Sequence, residues 1–283
     1  MDRARMLERL SARVCRSALA ALRSKPLFPE RRSQAYISRR GKPQIFRMSD
    51  LTIQNAGHES LKLRNIAEKL HQEGIFTGGP PNLFESAGRL QLSTLVREGL
   101  YPFSRVLDIG CGCLRAGYWL VRLLDRGCYF GIEPNVAMLN AGIDHLLTPE
   151  LVESKRPSFD NNDRYDFSVF GTEFDVFLAR SIWTHTSKAQ IQIMLDNFVR
   201  LSSRDAFFLT SYLPASWFGK GAADYTGTRW IGKSNTSTKA GLVHHRLSWI
   251  EQECQDRGLL ATQLEDPPFN GQYWLKIVRA ASR

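Results

Sequence analysis

At 283 residues the chain has room for one elaborated α/β domain or about two ordinary ones, and 43% hydrophobic with 23% charged residues excludes wholesale disorder. Its longest stretch without formal charge, Ala206 to Gly219, is 14 residues, short of the ~18 that cross a bilayer. The net charge of +10 is local: residues 1–50 hold 13 Lys/Arg against 4 Asp/Glu, and residues 51–283 hold 25 against 24. The body is nearly neutral, so no nucleic-acid groove is expected.

Residues 4–23 read as an amphipathic helix. Arg5, Arg9, Arg13, Arg16 and Arg23 fall on one side, and Leu7, Leu10, Val14, Ala18, Ala21 and Leu22 on the other. Such a helix suits three roles: lying on anionic lipid, serving as a targeting peptide, or docking on its own domain or a partner. Lys25 to Asp50, with Pro26, Pro29 and Pro43, reads as a basic linker, so residues 1–50 are expected to form a separable arm. Residues 51–100 read as a helical cap. One helix runs over Glu59–Glu73 with Leu61, Ile66 and Leu70 in register, and Gly78-Gly79-Pro80-Pro81 ends it. A second follows over Phe84–Glu98, its apolar side given by Leu90, Leu92, Leu95 and Val96.

From Arg105 short apolar runs alternate with helical patterns. Strands are expected at Arg105–Ile109, Tyr129–Ile132, Phe174–Ala179 and Ala206–Tyr212. Helices are expected at Arg115–Leu124, Val136–Leu147 and Lys188–Leu201, then a last helix at Trp249–Arg257 and a closing strand at Tyr273–Val278. The alternation predicts an α/β fold: a Rossmann-like, doubly wound, mostly parallel sheet over residues 101–283 with an N-terminal helical extension. Between Ala215 and Arg246, five glycines and the bases Lys220, Arg229, Lys233 and Lys239 suit either a lid over an anionic or hydroxyl-rich ligand or a solvated loop. Five cysteines, an odd number, argue against a disulfide framework and for a reducing, cytoplasmic setting, with membrane association through the arm as its one qualification. Cys111-Gly-Cys113 has no second Cys/His pair at metal spacing, so no metal is expected.

The chemistry concentrates in Arg105-Val-Leu-Asp108-Ile-Gly110-Cys111-Gly112. An apolar strand meets an acid and then a glycine turn, where the backbone adopts angles closed to other residues and approaches a ligand closely. An open parallel sheet binds at the carboxyl ends of its strands. Glu133 and Pro134 follow the next strand, with Glu133 23 residues past Gly110 and placed to accept from a ribose. A nicotinamide fingerprint beginning at Gly110 requires glycine at 115, where the chain has Arg115. A cofactor with a cationic sulfonium and amine and no phosphate suits Asp108 better, which points to S-adenosylmethionine.

This segment resembles motif I of the class I S-adenosylmethionine-dependent methyltransferases, small bacterial members included. The pattern Asp-x-Gly-x-Gly-x-Gly falls on Asp108, Gly110 and Gly112, with Leu at 114 and Gly117 nearby. The resemblance implies that Glu133 is the acid ending the second strand and that Asp163 lies near the adenine. It extends through Phe174 to Ala179, Arg180, Ser181, Trp183 and a Thr184-His185 ending. It covers residues 84–213 and implies that Asp108, Gly110, Cys111, Gly112, Glu133, Pro134, Asp163, Arg180 and Ser181 hold the cofactor. The implied activity is methyl transfer to an oxygen, less readily a nitrogen, of a small-molecule or glycan-type acceptor. Such an in-line displacement relies mainly on alignment and exclusion of water. His185 is the candidate base, or else a histidine that holds its loop. Trp183 and Tyr212 are candidates for lining the acceptor cavity, and His244-His245 is a pair without a metal partner. Two other readings stay open: a non-catalytic cofactor-binding scaffold of the same fold and a nicotinamide-dependent oxidoreductase.

Overall fold

The computed structural model describes residues 56–76, 79–215, 222–223 and 242–281. The basic arm, the amphipathic pattern of residues 4–23 and most of the glycine-rich 215–246 segment lie outside the described residues. Elements run α1 (Ala56–Gln72), α2 (Phe84–Glu98), β1 (Val106–Ile109), α3 (Gly117–Leu123), β2 (Tyr129–Ile132), α4 (Val136–Leu146), α5 (Pro149–Lys155) and β3 (Ser158–Asp160). They continue with β4 (Phe174–Ala179), α6 (Lys188–Leu201), β5 (Ser202–Tyr212), the short pair β6 (Ala222–Ala223) and β7 (Val243–His244), α7 (Leu247–Gln255), β8 (Leu259–Gln263) and β9 (Tyr273–Arg279).

Seven strands form one sheet in the order β3-β2-β1-β4-β5-β9-β8. β3, β2, β1, β4 and β5 run parallel, and β9 pairs antiparallel with both β5 and β8, so that β9 alone is reversed. Chain direction across the sheet reverses between β1 and β4, and that switch point is where an open α/β sheet leaves a crevice at its strands' carboxyl ends.

The central strands are apolar on both faces because both are covered. Val106, Val176, Leu178 and Leu209 join Leu63, Leu70, Leu95, Leu120 and Met138 on one side. Leu107, Ile109, Phe177 and Phe208 join Ile191, Phe198 and Ile250 on the other. The alternation along β1 and β4 therefore sends successive residues into two separate cores, which fixes the strand register. Helix starts follow local chemistry. The Asn135 side chain accepts from the Met138 N–H to open α4, and Ser187 with Gln190 forms a reciprocal capping box at α6.

Two helical faces differ from expectation. On α1 Leu61 is 57% exposed while Leu63, Ala67 and Leu70 are buried. On α2 Val96 is 43% exposed, and the buried side is Phe84, Glu85, Ala87, Gly88, Gln91, Thr94 and Leu95. That face mixes small and polar residues, so a count of aliphatic side chains points the helix slightly wrong.

Candidate functional site

The loop after β1 carries the geometry that the glycine pattern implies. Gly110 and Gly112 have φ of 68° and 56°, a left-handed conformation open to glycine at little steric cost. Leu114, where the resemblance has a third glycine, adopts φ 61° as well and is completely buried. The loop keeps its path without that glycine, at a local strain of order 1–3 kcal/mol. Gly117 makes room for this: a Cβ there would stand 2.9 Å from Leu114 Cδ2 and 2.7 Å from the Tyr129 hydroxyl.

Asp108 is the third residue of β1, paired with Gly131 of β2 and Leu178 of β4, and is 4% exposed. Tyr129 donates its hydroxyl to Asp108 Oδ2 at 2.8 Å. Burial pushes the carboxyl pKa up to about 7; the Tyr129 hydrogen bond opposes the rise, and the Glu133 charge adds to it. Among the described residues this carboxyl has one strong donor, Tyr129, and no ion-pair partner. Its position explains why an acid stands in an otherwise apolar strand.

Glu133 follows β2 directly. Its Oε2 accepts from the Gly112 N–H at 3.0 Å and its Oε1 from the Asn135 N–H at 2.9 Å, so one carboxylate clamps the glycine loop to the start of α4. Burial raises its pKa, and the two backbone donors counteract this. Each oxygen retains acceptor capacity for a diol. Cys111 and Cys113 are buried and fill the turn, whereas Pro134 is exposed beside Glu133.

Asp163 is exposed in the loop after β3, beyond an Asn162 whose amide ties Asp160 to the Asp166 carbonyl. Tyr165, missed in the sequence, sits between these groups. Its φ is 58°, and burial first, then the charges of Glu133 and Asp163, drive its phenol pKa upward. A positive φ at a tyrosine has no signature in a single sequence.

On the opposite side of the switch point the turn after β4 begins with Arg180 and Ser181. Arg180 donates Nη1 to Gln272 Oε1 at 2.9 Å and Nη2 to the Phe269 carbonyl at 3.0 Å. Gln272 Oε1 also accepts from Ser211 Oγ at 2.7 Å, and its amide donates to Ser181 Oγ at 2.6 Å. The Ser181 N–H donates to Ser211 Oγ at 2.9 Å, and Ser181 itself has φ 64°. Ser211 and Gln272 escape a reading of the sequence because they meet Arg180 and Ser181 only through the β4–β5 and β5–β9 pairings.

Three other expected residues have different surroundings. Trp183 is completely buried, edge-on to Phe208 at 5.8 Å between centroids. Tyr212 is 2% exposed and donates to Gln263 Oε1 at 2.5 Å. Both rings lie in the core under α6 and α7 rather than facing an open cavity, because large aromatics beside β4 and β5 are drawn into the covered face. His185 is partly exposed in the turn, six residues beyond the last residue of β4, and its N–H donates to the Ile182 carbonyl. His245 is buried, with Nε2 at 2.9 Å from the Trp183 carbonyl, so it braces that turn.

This sheet order with helices on both faces is the Rossmann-like fold of the class I S-adenosylmethionine-dependent methyltransferases. Magnesium protoporphyrin IX methyltransferase (ChlM) from Synechocystis PCC 6803 with bound SAM shares it with a TM-score of 0.52 at 14% identity, over 84% of this chain and 100% of that one. The same enzyme with bound SAH superposes with a TM-score of 0.51 at 15% identity, over 82% and 99%. The DhpI–SAH complex gives 0.51 at 13% identity, over 79% and 98%. No family model matches the chain, and no curated protein matches it in sequence. Among the described residues no helix is long and apolar enough to cross a membrane.

Proposed function

We propose that the chain is an S-adenosylmethionine-dependent methyltransferase acting on an oxygen, in preference to a nitrogen, of a small-molecule or glycan-type acceptor. The observation that carries this is the pairing at the ends of β1 and β2. Buried Asp108 has its pKa raised to about 7 by burial foremost and by the Glu133 charge, next to Glu133 clamping Gly112 with acceptor capacity to spare. A ligand with a cationic aminoacyl chain and a ribose diol matches both. A dinucleotide would bring a pyrophosphate to a loop that has Arg115 in place of the third fingerprint glycine and acids on either side.

When bound, the cofactor supplies a methyl group on an electrophilic sulfonium. Asp108 offsets positive charge, the Gly110–Gly112 backbone permits close approach, Glu133 accepts from the ribose, and Pro134, Asp163 and Tyr165 border the adenosine end. Ser181, held by Ser211 and Gln272, fixes the first turn after β4, where an acceptor would stand. The chain's contribution is mainly approximation, with His185 in that turn as the candidate base.

Calorimetry with S-adenosylhomocysteine and with NAD tests the cofactor, and methyl release from labelled cofactor over a metabolite panel tests catalysis. S-adenosylhomocysteine binding without NAD binding, together with methyl release to at least one acceptor, supports the proposal. Tight binding with no release over a broad panel would favour a scaffold.

A further inference from the structure

Arg180 is the first residue past β4, at the switch point facing the glycine loop. Its guanidinium stands 4.7 Å from the Trp274 ring centroid and 5.7 Å from that of Phe269, with some surface left accessible. Both of its hydrogen-bond partners are neutral oxygens, on Gln272 and Phe269. Among the described residues no carboxylate lies within ion-pair distance of it. Burial foremost, and the nearby charge of Arg115 second, lower its pKa to about 10.

A guanidinium offers five N–H donors, and two of these are engaged. Taking the charge partly out of water is costly, and an incoming anion offsets that cost. The planar fork matches a carboxylate in a bidentate manner. The frame is rigid before any ligand arrives: Gln272 is held by Ser211 and Ser181, and the aromatic faces limit where the guanidinium turns. Such preorganisation reduces the entropy lost on binding.

S-adenosylmethionine carries a single carboxylate, and a second buried arginine, Arg115, lies on the glycine-loop side against Phe76 and Phe84, at 5.0 and 5.4 Å from their centroids. Arg180 stands among residues of β4, β5 and the turn before β9, close enough to Arg115 for the two charges to repel but held by different partners. We propose that Arg180 receives a carboxylate of the methyl acceptor, so that the acceptor is an organic acid rather than a neutral molecule. This rests on the methyltransferase reading and narrows its substrate class, and it moves Arg180 from the cofactor set that the sequence suggests to the acceptor.

The test titrates the S-adenosylhomocysteine-saturated full chain with paired probes, acetate against acetamide and 4-hydroxybenzoate against 4-hydroxybenzamide, with inorganic phosphate as a further arm. At least one acid should bind tenfold or more tightly than its amide. Arg180→Gln should erase that preference while S-adenosylhomocysteine affinity stays within about twofold, and Arg180→Lys should keep part of it. Acids and amides binding alike to the wild-type chain would overturn the proposal, and this arm stands even if the variants fold poorly. A preference for phosphate over every carboxylate would overturn it too. So would a tenfold loss of S-adenosylhomocysteine affinity in Arg180→Gln with methylthioadenosine binding intact, because the cofactor's own carboxylate would then sit on Arg180. A wild-type chain that binds no S-adenosylhomocysteine removes the methyltransferase reading itself, and this proposal with it.

Discussion

The two banks of the switch point differ in the charges that they bury: among the described residues, carboxyl groups are found only on the first, and a guanidinium on each. On the β1–β2 bank stand the acids Asp108 and Glu133, both with pKa raised by burial, with the buried Arg115 further along the same glycine loop. On the β4–β9 bank stands Arg180, with pKa lowered by burial and bonded to neutral oxygens. Each bank keeps a group at odds with its surroundings, which the fold tolerates only because packing elsewhere fixes it. Backbone strain follows the same line: Leu114, Tyr165 and Ser181 all take positive φ, on the loops following β1, β3 and β4. Charge and strain gathered at one end of a sheet mark where ligands are received, and the proposed cofactor and acceptor roles rest on the acids of the first bank and on Arg180 of the second.

The largest effect expected on the acid bank is from Glu133→Ala. Removing an acceptor from charged hydrogen bonds costs ~1.5–3 kcal/mol, or about ten- to a hundredfold in S-adenosylhomocysteine affinity by calorimetry. Unchanged affinity would detach Glu133 from the cofactor and leave it a loop clamp alone.

Gly117→Ala sharpens the link between the glycine loop and Asp108. A glycine near a helix start usually gains from alanine, but here the new methyl meets the Tyr129 hydroxyl and Leu114. Overpacking should lower stability by ~1–3 kcal/mol in urea unfolding. A stabilised variant would show that the contact relaxes freely.

Asp108→Asn should weaken S-adenosylhomocysteine about tenfold while changing the pH dependence of stability. Because burial raises the folded-state pKa from 3.8 to about 7, the folded protein holds its proton where the unfolded chain has lost it. Stability of the ligand-free protein is therefore highest below pH ~4 as far as this group is concerned, and declines as pH rises to about 7, by up to ~4 kcal/mol. Denaturant midpoints across that window should lose this slope in Asp108→Asn. An unaltered slope would place the titration elsewhere.

The smallest change is expected from His185→Ala: a rate loss under tenfold, unchanged cofactor affinity, and an acidic limb of the pH–rate profile that persists. A loss of ~10²–10⁴ with that limb abolished would instead make His185 an obligate base.

Much of this site is legible in the sequence where chemistry is local. The glycine turn, the acid after β2 and the turn after β4 each announce themselves within a dozen residues. α6 spans Lys188–Leu201 and β2 spans Tyr129–Ile132, as the apolar periodicity indicates. β3 and α5 are different: three half-buried residues with no apolar run, and one helix of seven residues without a buried face. β8 leaves Leu260 55% exposed, a short edge strand whose pattern is lost among loop residues. Gln272, Ser211 and the Tyr129–Asp108 contact depend on strand pairing, so no spacing along the chain reveals them.

Proton linkage on S-adenosylhomocysteine binding tests the opposition of the two banks most directly. A cationic amine near Asp108 favours its ionised form, so binding at pH ~6 should release up to about one proton. This is measured by calorimetry in buffers of different ionisation enthalpy. Affinity should rise from pH 5 to 7 and level off above, with both effects absent in Asp108→Asn. Binding without proton release, or with release retained in that variant, would contradict the assignment of the acid bank to the cofactor.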